Sequence, residues 1–285
     1  MDQHTPQQDT QEMHNTSQQK ENSAQSTSKS LKQRYITGAI MIALVAIIFL
    51  VHNPLVIWLT LGVCFILSFR ESFGLFGVKP KLWLYAGAIA AWILAFFNSS
   101  PILSGLFVAL IVASILAYKR SISAKTILPF LYPTLPFLAI YSLYAKMGGF
   151  GLSCLIWLIL ITTATDTGAY FGGKAFGRTP FSPTSPNKTL EGAGIGITLG
   201  VIAGSIMGIG PSGGFIPALL ISICVALGCV FGDLFESYLK REAGIKDSGN
   251  ILPGHGGMLD RFDGILFGAM VMYYLLGFLP MWQQL

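Results

Sequence analysis

The chain has 285 residues, 53% of them hydrophobic and only 11% charged, with a formal net charge of +5. Its mean hydropathy of +0.62 lies outside the usual range of soluble globular chains and points to a polytopic membrane protein. That setting also accounts for the basic balance, because lysine and arginine gather on the cytoplasmic side of membrane proteins; nucleic-acid binding is therefore not needed to explain it.

Residues 1–30 are rich in Gln, Ser, Thr and Asn and nearly free of apolar side chains, so they are expected to form a disordered polar tail. Apolar runs then recur near 36–52, 54–69, 83–97, 102–118, 127–145, 150–168, 190–208, 214–232 and 264–280. The expected fold is all-α: an integral membrane bundle of about nine transmembrane helices. The basic residues set its orientation. All but Lys146 of the 18 precede span one or follow spans two, four, six and eight, which places the N-terminus in the cytoplasm and the C-terminus outside. Glu71 falls in the first cytoplasmic loop on this count. Cys64, Cys154, Cys224 and Cys229 lie in apolar segments without CxxC spacing and read as small buried hydrophobes.

The acidic residues divide the chain. Asp166, Glu191, Asp233, Glu236, Glu242, Asp247, Asp260 and Asp263 all fall at or between the cytoplasmic ends of spans six to nine. Residues 31–148 therefore read as scaffold helices and 149–285 as the half that carries chemistry. Asp166 sits near the end of an apolar span, where a carboxylate is costly and marks function. After it, Gly172, Gly173 and Gly177 form a turn with Lys174, Arg178 and Lys188 nearby; GGKAFG lacks the spacing of a Walker A loop. If span eight continues as a helix, Asp233, Glu236 or Ser237, and Lys240 share one face. Next comes LPGHGGMLDRFDG, residues 252–264, a glycine-rich turn running into a helix start. Such a turn suits phosphate, yet Asp260 and Asp263 would repel it. A divalent cation between carboxylates and phosphate resolves the conflict, and hard oxygen ligands suit Mg²⁺. The alternative is structural: Asp260 capping the helix and Asp263 in an ion pair. Carboxylates, several cations and a glycine loop on one face are the parts of a phosphoryl- or nucleotidyl-transfer site.

SYLKREAGIKDSGNILPGHGGMLDRFD, residues 237–263, resembles the signature of the phosphatidate cytidylyltransferases, also called CDP-diacylglycerol synthases, at every fixed position. DTGAY at 166–170 and SPNKTLEG at 185–192 resemble two further motifs of that family. The resemblance covers roughly residues 160–285; the earlier spans share only a hydrophobic layout. It implies that CTP and phosphatidate give CDP-diacylglycerol and pyrophosphate, with Mg²⁺ and the number of cations left open. It implies a homodimer in a bacterial inner membrane, working on membrane lipid with its site facing the cytoplasm. Asp233, Asp260 and Asp263 become the metal-site candidates. Lys240, Arg241, Lys246, Asp247, His255 and Arg261 join them as catalytic candidates, and Asp166, Lys188, Glu191, Ser237, Gly256 and Gly257 become substrate-binding candidates. The rival readings are a CTP-dependent polyprenol-type lipid kinase, which would transfer the γ-phosphoryl group, and a catalytically inactive membrane scaffold. A transporter would carry its charges mid-span on a pathway, whereas here they collect at one face.

Overall fold

Asn53 opens the first fully described helix, α1 (Pro54–Phe76), because its side chain accepts from the otherwise unpaired Leu55 and Val56 N–H groups at 2.9 and 3.4 Å. This computed structural model describes residues 53–119 and 121–279, with scattered positions between 36 and 51. The expected polar tail, 1–30, and much of the first expected span lie outside the described residues. Gly77, at φ 61°, closes α1 in the left-handed conformation that glycine adopts without penalty. Helices α2 (Leu82–Phe97) and α3 (Pro101–Tyr118) follow, the latter with proline at its first turn.

Short turns at Ala124–Ile127 and Leu128–Leu131 lead into α4 (Thr134–Ala145), and together they make the most enclosed span of the bundle. Then come α5 (Gly151–Phe176), a hairpin of β1 (Pro180–Ser182) and β2 (Ser185–Thr189), α6 (Leu190–Met207), α7 (Phe215–Glu242) and α8 (Asp263–Leu276). The antiparallel hairpin is the one departure from an all-helical fold among the described residues. Its cause is local: Pro180, Pro183 and Pro186 rule out a helix there, while polar neighbours keep the segment out of lipid.

Among the described residues, six helical segments are long and apolar enough to cross a membrane: Pro54–Phe76, Pro101–Tyr118, Ala124–Ala145, Gly148–Phe176, Leu190–Met207 and Phe215–Glu242. Leu82–Phe97 and Asp263–Leu276 are apolar but shorter. Large apolar side chains stand on the outside, Leu110 at 65% exposure and Ile206 at 67%, as in a bundle whose outer solvent is hydrocarbon. Phe65, Phe69, Phe130 and Phe137 fill the interior between α1 and α4. The four cysteines are free; Cys154 and Cys229 are buried as expected, whereas Cys64 is half-buried and Cys224 is exposed on the outside of α7.

Small residues bring the second half of the bundle together. Gly192, Gly196, Gly200 and Gly204 make one buried stripe along α6. A Cβ at Gly196 would stand 2.8 Å from Ala169 N, and one at Gly192 would stand 2.7 Å from Ala169 O. The backbones of α5 and α6 therefore touch, in the manner of small-residue packing in lipid. On α7, a Cβ at Gly232 would lie 2.7 Å from Asp263 O and from Phe267 Cβ. That close approach sets the start of α8 against the polar end of α7.

Candidate active site

The polar groups converge because these helix contacts force them to. Gly232 lets α8 close on α7, so Asp263, the first residue of α8, comes within electrostatic range of Asp233. Asp263 accepts from Gly264 N at 2.8 Å and has no ion-pair partner among the described residues. Lys188, on β2, forms an ion pair with Asp233, joining the hairpin to α7. Asp166, on α5, lines a cavity of about 370 Å³ with Lys188, Asp233, Tyr170, Lys174 and Asn187. The three segments singled out in the sequence thus meet in space.

A second cluster lies one to two turns further along α7. Lys240 Nζ donates to Asp260 Oδ1 at 2.7 Å and to Glu236 Oε1 at 3.3 Å. Tyr132 Oη, from the scaffold half, donates to Glu236 Oε2 at 3.1 Å. Asp260 Oδ2 accepts from Ser248 N at 2.9 Å and Gly257 N at 2.8 Å. Burial works to raise the Asp260 carboxyl, but the Lys240 ammonium and the two backbone N–H groups outweigh it and hold it below the usual carboxylate range. Asp260 therefore organises its own loop, with one oxygen on Lys240; it does not cap the helix that follows, and Asp263 forms no ion pair among the described residues, so the structural alternative describes neither carboxylate.

The third cluster centres on Glu71. It does not lie in a cytoplasmic loop: it is inside α1 and only 6% exposed. The Arg70–Glu71 pair interrupts the apolar run, but SFGLF carries the same helix on to its cap at Gly77. Glu71 Oε2 accepts from Leu259 N at 2.7 Å and Ser248 Oγ at 3.2 Å, and Oε1 accepts from Met258 N at 3.0 Å. A Cβ at Gly257 would stand 2.6 Å from Glu71 Oε2. The room at Gly257, expected to serve the nucleotide, is occupied by this carboxylate and Ser248. Gly256 sits at φ 84°, with its Cα facing Asp260 Oδ2, and Leu252 N bonds Gly256 O at 2.9 Å to close the turn.

The other candidates are more dispersed. Glu191 accepts from Arg178 N, Thr179 N and Thr179 Oγ1 at 3.1, 3.1 and 2.8 Å, which ties the hairpin's entry to α6. Arg241 donates to Ile245 O at 3.3 Å, capping the end of α7. Lys246 and Asp247 are exposed, and Ser237 is half-buried beside Glu236. Arg261 is exposed but within electrostatic range of Asp166. His255 Nδ1 is buried without a hydrogen-bond partner among the described residues, and its Nε2 would lie 3.7 Å from a Cβ at Gly38.

Among the described residues, no three of the His, Cys, Asp and Glu side chains are gathered closely enough to hold a metal unaided. Asp233 and Asp263 stand within electrostatic range of each other, and two carboxylates completed by substrate phosphates and water are a common way of holding Mg²⁺. Sequence reasoning passed over Glu71, Tyr132 and Ser248. The available signal was a carboxylate at position 71 flanked on both sides by apolar helix.

The profile of the family described as "Cytidylyltransferase family" matches residues 32–279. The chain is 49% identical over 254 residues to the phosphatidate cytidylyltransferase of Helicobacter pylori strain ATCC 700392 / 26695, covering 89% of this chain and 94% of that protein. It is 48% identical, with the same coverage, to the protein of that name from H. pylori strain J99. The Bacillus subtilis phosphatidate cytidylyltransferase is 43% identical over 130 residues, 45% of this chain and 48% of that protein.

Proposed function

The chain belongs to the cytidylyltransferase family, and from that premise we propose how its site converts CTP and phosphatidate to CDP-diacylglycerol and pyrophosphate. The observation that carries this reading is the meeting of Asp166, Lys188 and Asp233 around one cavity, beside Asp263. A phosphate oxygen of phosphatidate attacks the α-phosphorus of CTP. The bond from that phosphorus to the oxygen bridging to the β-phosphorus breaks, and pyrophosphate leaves. Both reactants are anions, so neutralising charge is the first task and alignment the second.

Lys188 is free to exchange Asp233 for a substrate phosphate, since the pair is partly exposed and such pairs are weak. Arg261 stands at the same face. Lys240 is held on Glu236 and Asp260, which fixes its ammonium at the cytoplasmic end of α7 for a phosphate contact. Asp233 and Asp263 are the carboxylates for Mg²⁺, and Asp260 Oδ1 would join them only by giving up its 2.7 Å bond to Lys240. Bound there, Mg²⁺ would offset negative charge on the nucleotide phosphates. Half-buried Asp263, with no ion-pair partner among the described residues, supports this assignment.

The same reading places the chain in a bacterial inner membrane with nine crossings, a cytoplasmic N-terminus and the site on the cytoplasmic face. The one-sided basic residues support the orientation, and the bacterial relatives support the compartment. The homodimer, the division into a scaffold half before residue 149 and a catalytic half after it, and the absence of a nucleic-acid partner rest on the sequence resemblance and composition.

The test is product analysis. Purified chain in lipid nanodiscs, given phosphatidate, Mg²⁺ and CTP labelled at either the α- or the γ-phosphate, is expected to put the α-label into lipid and the γ-label into pyrophosphate. A γ-label in the lipid would establish a kinase instead. Folded protein with no lipid product would establish a scaffold.

A further inference from the structure

We infer that Glu71 is a positioning residue for cytidylyl transfer: from α1 it sets the loop 248–259, and through that loop the arrangement of Lys240, Asp260 and Asp263. This rests on the reaction given above.

Glu71 is badly placed for an ordinary glutamate. It lies inside α1, more than a turn from either end, and it is buried. A buried carboxylate persists only if its oxygens are well hydrogen-bonded or paired. Glu71 has no ion-pair partner among the described residues. All three of its donors come from a loop 177 to 188 positions away in sequence. The loop has the complementary need. Met258 N and Leu259 N stand at the head of the turn Leu259–Arg261, where the first N–H groups lack acceptors within the turn. Each side supplies what the other lacks.

Two features make this contact more than an anchor. Ser248 is bound by both carboxylates at once: its hydroxyl donates to Glu71 Oε2 and its N–H to Asp260 Oδ2. Gly257 N is on Asp260 while the next amide, Met258 N, is on Glu71. A shift at Glu71 is therefore passed to Asp260, then to Lys240 through their 2.7 Å ion pair. The cradle is also specific to glycine: a Cβ at Gly257 would crowd Glu71 Oε2, and one at Gly249 would stand 2.7 Å from Glu71 Cδ.

The experiment uses the full chain in nanodiscs, with Glu71→Gln, Glu71→Asp and Ser248→Ala compared to the parent for kcat, KM, Tm and hydrogen exchange across residues 244–262. A glutamine has one acceptor oxygen and turns an NH₂ toward a donor, so it cannot hold all three bonds. Glu71→Gln is expected to lower kcat by about tenfold to a hundredfold, the scale of losses from small misplacements, with the KM for CTP little changed. Ser248→Ala, which removes one of three donors, should fall between Glu71→Gln and the parent. Exchange at Gly257 N, which bonds Asp260 and not Glu71, should rise in Glu71→Gln. A residue that only stabilises would lower Tm and leave kcat per folded molecule intact, and that result in Glu71→Gln overturns the proposal. If the Glu71 variants do not fold, Ser248→Ala and Gly257→Ala carry the test, and parental kcat in both overturns it. A parent chain that makes no CDP-diacylglycerol overturns the underlying reading as well, so the two failures are told apart.

Discussion

Asp233, Asp260 and Asp263 are the three carboxylates considered for the metal, yet their surroundings differ, and the differences assign them different work. Asp233 shares a partly exposed ion pair with Lys188, which screening by solvent makes weak. Among the described residues Asp263 accepts a hydrogen bond from Gly264 N alone, and it stands within range of Asp233 and Glu236, so a neutral side chain there relieves repulsion. Asp260 answers one ammonium and two backbone N–H groups. Asp233→Asn and Asp263→Asn are expected to lower turnover by about 10²–10³-fold, the usual scale for losing a charge-stabilising group, with stability held or raised. Asp260→Asn should also cost about 1–3 kcal/mol of stability, because buried donors lose their acceptor. Paired rate and thermal-unfolding measurements check this. Equal loss of stability in all three would mean that all three are structural.

At this same scale the signature was legible, because polar residues in an apolar chain are conspicuous. Its internal roles were not. Whether Gly257 faces a ligand or a carboxylate depends on where α1 passes, and nothing within residues 237–263 carries that information. Glu71 was invisible for a related reason. A charge ends a hydropathy run on paper, whereas a helix tolerates it wherever distant donors meet it.

Among the elements, the contact between α5 and α6 does most to assemble the site. It puts Asp166 on one helix opposite the hairpin that delivers Lys188 just before the other begins. Thr189 links the two, accepting from Gly192 N at 3.2 Å to cap α6 directly after Lys188. The glycines at 192, 196, 200 and 204 repeat every fourth residue, which puts them on one helix face. The hairpin was not legible as strands, because prolines and short polar residues signal a break without specifying its form. Gly196→Leu is expected to separate α5 from α6, at a cost of about 1–3 kcal/mol for overpacking, and to lower activity by moving Lys188 away from Asp233. Gly194→Ala lies on the same helix with nothing within 4 Å of the added carbon, so it should leave both properties near the parent. If Gly196→Leu matched Gly194→Ala in Tm and rate, close α5–α6 packing would not be what assembles the site.

For the whole molecule, orientation in the membrane decides whether the reaction is possible. One substrate is a lipid anchored by its acyl chains and the other a soluble polyanion, so only a site at the surface reaches both. The described helices include six long spans and two shorter apolar ones, and parts of the first expected span lie outside the described residues. Nine crossings put the loop between α4 and α5, which carries Lys146, opposite to the loop between α7 and α8, which carries Lys246. The sequence supplied this inference through charge alone, since moving basic residues across a bilayer is what the positive-inside bias opposes. Packing adds an independent constraint: Tyr132–Glu236 and Glu71–Leu259 tie the early helices to the signature end of α7 and to its loop, so the halves cannot be inserted with opposite senses. Single-cysteine variants Lys146→Cys and Lys246→Cys test the sidedness with a membrane-impermeant maleimide. The four native cysteines lie within the apolar helices and can be replaced by serine as background. In intact cells Lys146→Cys should react and Lys246→Cys should not. In inside-out vesicles the pattern should reverse. Labelling of both positions from one side would remove a crossing between them and, with it, the nine-span arrangement, whereas labelling of Lys246→Cys in intact cells would place the site on the face that CTP does not reach.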